Sequence, residues 1–376
     1  MSKLKNLILL VLALMWIGLG CEKESIPELT EKYLTVDDAK YKSGKLPTGK
    51  EDVITDVQIN KSVINGGSAI LIVTASEPLA QIYISVDGIT GYYVYNVATS
   101  GLTYQILINL SQELDVESLV INVSAKTDEG AVSLVEDSGS IKVVEVGTGK
   151  LQVSLSWNKE DDVDLHLFEP DGDEICYENP ASIVGEEDEF YFKFYVYLIE
   201  KYTSHDASSL EMGNEDDVEI LLEYLAEIED DIDIYEEFRG YNDNDFLGCL
   251  DLDSNADCEI DGVKNENITY SNPENGTYTV AIDLYSKCMS GVEGAKYSVT
   301  AVYNGKALSL TNPIGQFEDD NYGSGDSESQ YVTIGKFTIS GSSKSALLET
   351  VDQRPVNDKL LLLKHKLLNA KAARRK

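Results

Sequence analysis

Residues 155–172 read LSWNKEDDVDLHLFEPDG, and the architecture follows from how this stretch is read. Val163, Leu165 and Leu167 alternate with Asp162, Asp164 and His166. A period of two is that of a β-strand, whose successive side chains point to opposite faces. The apolar trio belongs to a core, and the two carboxylates and the imidazole share the other face. A turn at Pro170 and Gly172 ends the strand. The pattern returns in CLDLDSNADCEIDG, residues 249–262. There Leu250 and Leu252 take one face and Asp251 and Asp253 the other. Asp257, Glu259 and Asp261 follow in a loop, with Glu266 shortly after.

Two Asp-x-Asp strands in one domain can gather Asp162, Asp164, Asp251, Asp253 and Glu266 into a metal site. Like charges about 4 Å apart repel by roughly 1 to 4 kcal/mol per pair, depending on the local dielectric. A hard divalent cation removes that repulsion. Calcium takes about six to eight oxygen ligands, so these residue types suit calcium better than zinc or copper. The spacing is not that of an EF-hand. The alternative is a solvated face or bonding to loop amides, and for His166 a structural contact to a neighbouring Asp. No Gly-x-Ser-x-Gly, His-Glu-x-x-His or phosphate-binding glycine loop is present, so no catalytic residue is assigned.

Outward from this stretch the texture is mainly β. From 51 to 147, seven short runs such as SAILIVTAS and YQILINLS alternate apolar and polar residues between Gly, Asn and Asp turns. That spacing predicts an immunoglobulin-like β-sandwich. From 148 to 340 a second, jelly-roll-like sandwich is expected, built from runs such as LQVSLSW and TYTVAIDLY. A block at 185–247 interrupts it, with 21 acidic and 3 basic residues, half the net charge of the chain. In that block FYFKFYVYLIEKY has strand composition, which would put Tyr191, Tyr195 and Tyr197 on one face as ligand-binding residues. Val218, Leu221, Leu222, Leu225, Ile228, Ile232 and Tyr235 recur at helical spacing, which predicts one docked, acid-faced helix.

The ends bound the setting. Lys3 and Lys5 precede an apolar run at 7–17, then Gly18, Gly20 and Cys21. This pattern reads as a secretory signal over 1–20 and resembles a bacterial lipoprotein signal, which implies lipid on Cys21. Residues 21–50 are polar and read as a tether. The expected location is the bacterial cell envelope, most simply the outer membrane, periplasmic or surface-exposed, with lipid as the anchor. A net charge of −36 excludes a nucleic-acid partner, because no basic footprint faces the phosphates. Cys176, Cys249, Cys258 and Cys288 allow three pairings or free buried thiols, and spacing does not choose among them. The tail, 341–376, turns basic and carries helix formers, so a short C-terminal helix is expected there.

The motif order in the second domain resembles the YfaP-like family of bacterial envelope proteins. The residues that carry the resemblance are Trp157, Asp162 to His166, Pro170, Gly172, Leu250 to Asp253, Glu266 to Ile268, and Gly276 to Tyr278. The family has no assigned reaction, so the resemblance implies a fold more than a function. The long acidic block stands where the family has a short loop, and VKNEN replaces its Gly-Pro before the Glu. Together these features predict a lipid-anchored, non-enzymatic binding or adhesion module with calcium as cofactor and a glycan or protein as partner. A glycan-active enzyme or accessory protein, and a structural component of envelope assembly, are the competing classes.

Overall fold

The computed structural model describes residues 29–228, 232, 234–241, 246–288, 294–318 and 331–340. The expected signal, the lipidated Cys21 and the basic tail lie outside the described residues. The protein is mainly β, with 45% strand and 14% helix arranged in several sheets of the β-sandwich class. Among the described residues no helix is long and apolar enough to cross a membrane.

In the first sandwich one sheet runs in the order Leu34–Val36, Thr103–Leu110, Ser68–Ala75, Ile54–Gln58. The facing sheet runs Glu136–Asp137, Ile121–Thr127, Leu79–Val86, Tyr92–Asn96, Ala39–Lys42. Alternation supplies the inner faces: Ala69, Leu71, Val73 and Ala75 from one strand meet Ile82, Ile84 and Val86 from the other sheet. Ile141–Val144 closes the domain, pairing in parallel with Ser62–Ile64. The expected tether is corrected here. Leu34–Val36 pairs with Thr103–Leu110, and Ala39–Lys42 with Tyr92–Asn96, so residues 34–42 belong to the sandwich. Leu34 and Val36 are buried in its core, which a solvated linker would not allow.

The second sandwich places Leu151–Trp157 between Asn265–Tyr270 and Lys296–Tyr303, with Phe246–Leu252 next outward. Its facing sheet runs Glu174–Ile175, Asp162–Phe168, Gly276–Ser286, Val332–Ile339. Leu151, Val153, Leu155 and Trp157 point inward to meet Val163, Leu165 and Leu167. The opposite face of Leu151–Trp157 carries Gln152, Ser154 and Ser156, buried against the first sandwich. Gln152 donates to the Asn65 carbonyl at 2.8 Å, and Asn60 donates to the Trp157 carbonyl at 2.8 Å. A central strand is thus apolar on one side and hydrogen-bonded on the other, which satisfies both of its buried faces.

The acidic block folds as three helices: α1 (Glu187–Tyr202), α2 (Glu215–Leu225) and α3 (Ile234–Gly240). The strand expected at FYFKFYVYLIEKY is therefore a helix. Phe190, Tyr191, Phe194, Tyr195, Leu198 and Ile199 fall at i, i+1, i+4, i+5, i+8 and i+9, a helical stripe, and all are buried. Aromatic residues favour strands on average, but packing onto one another overrides that weak preference. Phe194 stacks on Phe238 of α3 with ring centroids 4.5 Å apart. Tyr191 and Tyr195 are 4% and 1% exposed, so they cannot present a ligand surface. Tyr197 is held by Glu237 at 3.2 Å and Lys201 at 3.1 Å. The single helix expected from the downstream stripe is also divided. Val218, Leu221 and Leu225 lie on α2, and Tyr235 lies on α3. The Asn214 side chain caps α2, accepting from the Asp216 N–H at 3.1 Å. Acidic residues in the first turns of α1 and α2 complement the helix dipoles.

Candidate metal centre

Asp162, Asp164 and His166 share the outer face of their strand, as alternation requires. That face is not wet: the three are 1%, 4% and 3% exposed. Their strand pairs with Gly276–Ser286 on one edge, which sets Asp164 directly opposite Asp283. The other edge is covered by Glu174–Ile175 only at Leu167 and Phe168. Where that edge has no strand, Glu266 Oε2 accepts the Leu165 N–H at 2.6 Å. Glu266 reaches it because it pairs with Leu155 and so points to the inner side of its own sheet.

Asp253 completes the cluster from the end of Phe246–Leu252. Oxygens of Asp164, Asp253 and Glu266 lie within 4.8 Å of one another. Four of the five carboxylates expected from sequence therefore converge: Asp162, Asp164, Asp253 and Glu266. Asp251 does not. A β-bulge at Leu250/Leu252 sets two residues opposite one and rotates Asp251 away. It accepts instead from Asn267 Nδ2 at 2.6 Å and from the Gly147 N–H, at the junction between the sandwiches.

Loop residues 255–258 close over Asp162. Asn255, Asp257 and Cys258 all have positive φ, of 60°, 54° and 64°. Such left-handed residues are uncommon outside glycine and persist where surroundings enforce them. Here a disulfide from Cys258 to Cys288 ties the loop to the end of Gly276–Ser286. Asn255 Nδ2 also donates to the Asp161 carbonyl at 3.1 Å. The backbone N–H groups of Asp257 and Cys258 bond the Asp162 carboxylate. Cys176 and Cys249 are free and buried.

The electrostatics are those of crowded anions. Burial, then the charge of Asp253, pushes the Asp162 carboxyl up to about 8. Burial raises Asp164 well above the carboxylate range, reinforced by Asp162, Asp283 and Asp253 and opposed by His166. Glu266 is raised in the same way, by burial and then by Asp164 and Asp253. Tyr235 of α3 is raised by burial and by its contact with Asp253. Asp162 Oδ1 and Glu266 Oε1 are buried and have no hydrogen-bond partner among the described residues. Buried polar atoms in that state mark a missing ion or water more often than a tolerated loss.

Three groups near Asp164 escaped the sequence reading. Asp283 sits in TYTVAIDLY, where alternation with Ile282 and Leu284 places it off the core, but the register that faces it to Asp164 left no trace. Glu174 lies beyond the turn at 170–172, and its Oε1 is 2.7 Å from His166 Nδ1. Tyr331 packs its ring on the imidazole with centroids 4.4 Å apart. No known protein-family profile and no curated protein matches the chain.

Proposed function

We propose that this chain is a lipid-anchored protein of the bacterial cell envelope whose second sandwich is a calcium-stabilised, non-enzymatic binding module. The observation that carries the reading is the convergence of Asp162, Asp164, Asp253 and Glu266 with buried, unpartnered oxygens aimed at one another. An all-oxygen, multiply anionic donor set is the chemistry of a hard dication such as calcium. A glycosidase would need its carboxylates to flank a substrate cleft. These are covered by the 255–258 loop and by Tyr235, which favours a structural ion over glycan cleavage. The Cys258–Cys288 disulfide supports an oxidising compartment outside the cytoplasm. The YfaP-like motif order and the Cys21 signal belong to the same proposal.

The binding surface is best sought on the insertion. Glu215, Asp216, Glu219, Glu223 and Glu227 form an exposed acidic face along and just beyond α2. Such a face takes a basic protein segment rather than a glycan, since charge complementarity steers that encounter.

The test is a thermal melt of the full-length protein with millimolar calcium and with chelator. Calcium at about a hundredfold above its Kd stabilises by about 2.7 kcal/mol. For a protein of this size that is a rise of roughly 5–10 °C in Tm. The Asp164→Asn, Asp253→Asn double variant should lose the rise. Equal Tm in calcium and chelator would refute the reading.

A further inference from the structure

We propose that the centre is binuclear: Asp164, His166 and Asp283 form a second, nitrogen-containing metal position, and Asp164 bridges it to the all-oxygen position. The inference rests on the calcium reading only through the shared Asp164.

Asp164, His166 and Asp283 are all buried, and one donor atom from each lies within 4.8 Å of the others. His166 Nε2 and Asp283 Oδ1 are 3.5 Å apart, and neither has a hydrogen-bond partner among the described residues. Both atoms are thus buried, unpartnered and aimed at the same small volume. Asp164 and Asp283 face each other across an antiparallel pair, where like charges destabilise a sheet unless something neutralises them.

The far side of the imidazole is built like the second shell of a metal-bound histidine. Glu174 Oε1 accepts from Nδ1 at 2.7 Å, which leaves the Nε2 lone pair directed at Asp164 and Asp283. The Tyr331 ring fixes the imidazole plane, and its hydroxyl donates to the same Glu174 oxygen at 3.4 Å. A carboxylate on the distal nitrogen is the usual way a protein sets the tautomer and orientation of a ligating histidine. Two carboxylates and one imidazole suit a first-row transition dication such as zinc, manganese or cobalt, whereas calcium prefers oxygen alone. Ions in two-metal sites sit about 3.5–4 Å apart, a span one carboxylate bridges. Charge argues the same way: Asp162, Asp164, Asp253, Glu266 and Asp283 would leave a large excess of negative charge around a single dication.

The competing account makes His166 an imidazolium wedged between Glu174 and Asp283. Burial disfavours that charge, but contacts to Asp283, Cys176 and Glu174 outweigh it and hold the proton on. Cobalt(II) separates the two accounts, because its visible spectrum reports nitrogen and oxygen ligands while calcium is silent. Full-length protein saturated with calcium is titrated with cobalt(II), and calcium is measured in the product. The expected result is one cobalt bound beside retained calcium. The cobalt spectrum should disappear in His166→Gln. In Glu174→Ala, which removes no ligand, affinity for cobalt should fall about 10–100-fold with the calcium-dependent rise in Tm unchanged. That variant keeps the test decisive if His166→Gln does not fold.

Four results overturn the proposal. Cobalt that does not bind calcium-loaded protein, with His166 protonated at neutral pH by NMR, makes the histidine a counter-ion and leaves the calcium site standing. One-for-one displacement of calcium by cobalt means a single position. A thiolate-to-cobalt band means an ion on the Nδ1 side, held by Glu174 and Cys176. Response to neither ion removes both metal readings together.

Discussion

Asp251 and Asp253 stand two residues apart at the end of one strand, yet they serve different parts of the molecule. The β-bulge at Leu250/Leu252 turns Asp251 toward Gly147 and Asn267, while Asp253 joins Asp164 and Glu266. Gly147 suits this contact, since a Cβ there would stand 2.6 Å from Asp251 Oδ2. Asp251 is a latch on the segment that joins the sandwiches, and Asp253 is a ligand.

That division predicts different phenotypes from like substitutions. Asp251→Asn should lower stability by about 1–3 kcal/mol, because an amide cannot accept from both Gly147 and Asn267 without exposing a donor to a donor. It should leave the calcium-dependent rise in Tm intact. Asp253→Asn should abolish the rise. Urea unfolding with and without calcium reads both, and loss of the calcium response in Asp251→Asn would show that the bulge does not separate their roles.

Stability without metal should fall as pH rises. The Asp162 carboxyl has an ordinary value of 3.8 and a folded value of about 8. Between these the folded protein holds a proton that the unfolded chain has lost, so unfolding becomes progressively easier with increasing pH. Burial raises Glu169 and Asp251 to about 7, and they act with the same sign. Calcium needs the ionised carboxylates, so its binding strengthens over the same range. The gap in Tm between calcium-loaded and chelated protein should widen steadily from about pH 5 to about pH 8. A gap independent of pH would mean the ion does not bind at these carboxylates. Asp162→Asn should flatten part of the fall in the chelated protein, and Glu169 and Asp251 should keep the remainder.

The strands were legible because alternation is local. Val163, Leu165 and Leu167 against Asp162, Asp164 and His166 sufficed to place three site residues on one face. Burial of that face was not legible, because it depends on a loop, a disulfide and α3 arriving from 80 to 120 residues away or less in the chain. Asp251 was misplaced by one inserted residue, which reverses every side chain beyond it. The 190–199 stripe fits a helix by spacing and a strand by composition, and composition misled because Phe194 and Phe238 pack across a gap in sequence. Asp283 was invisible for want of register alone.

The disulfide should couple stability to ion binding. Replacing Cys258 and Cys288 together by Ser should cost about 2–4 kcal/mol through the freed unfolded chain. It should also weaken calcium, because the Asp257 and Cys258 amides that bond Asp162 sit on the tied loop. Isothermal titration of calcium into oxidised wild type and the double Ser variant measures the second effect. Equal affinities would show that the strained 255–258 loop holds its shape without the bridge.

Tyr235 links the insertion to the metal centre. It packs on the cores of both the second sandwich and the helical insertion, and its hydroxyl bonds Asp253. An ion that draws in Asp253 should therefore fix α3 as well, and with it the aromatic stack of Phe190, Phe194 and Phe238. Calcium should slow hydrogen exchange at the α1 and α3 amides, far more than at Ser68–Ala75 in the first sandwich. Tyr235→Phe keeps the ring in both cores and removes only the bond to Asp253. It should weaken calcium about tenfold, as loss of a partner behind a ligand does, and uncouple the protection of α1 from the ion. Protection of α1 that persists at wild-type strength in Tyr235→Phe would place the coupling elsewhere, in the packing of α3 against Phe246–Leu252.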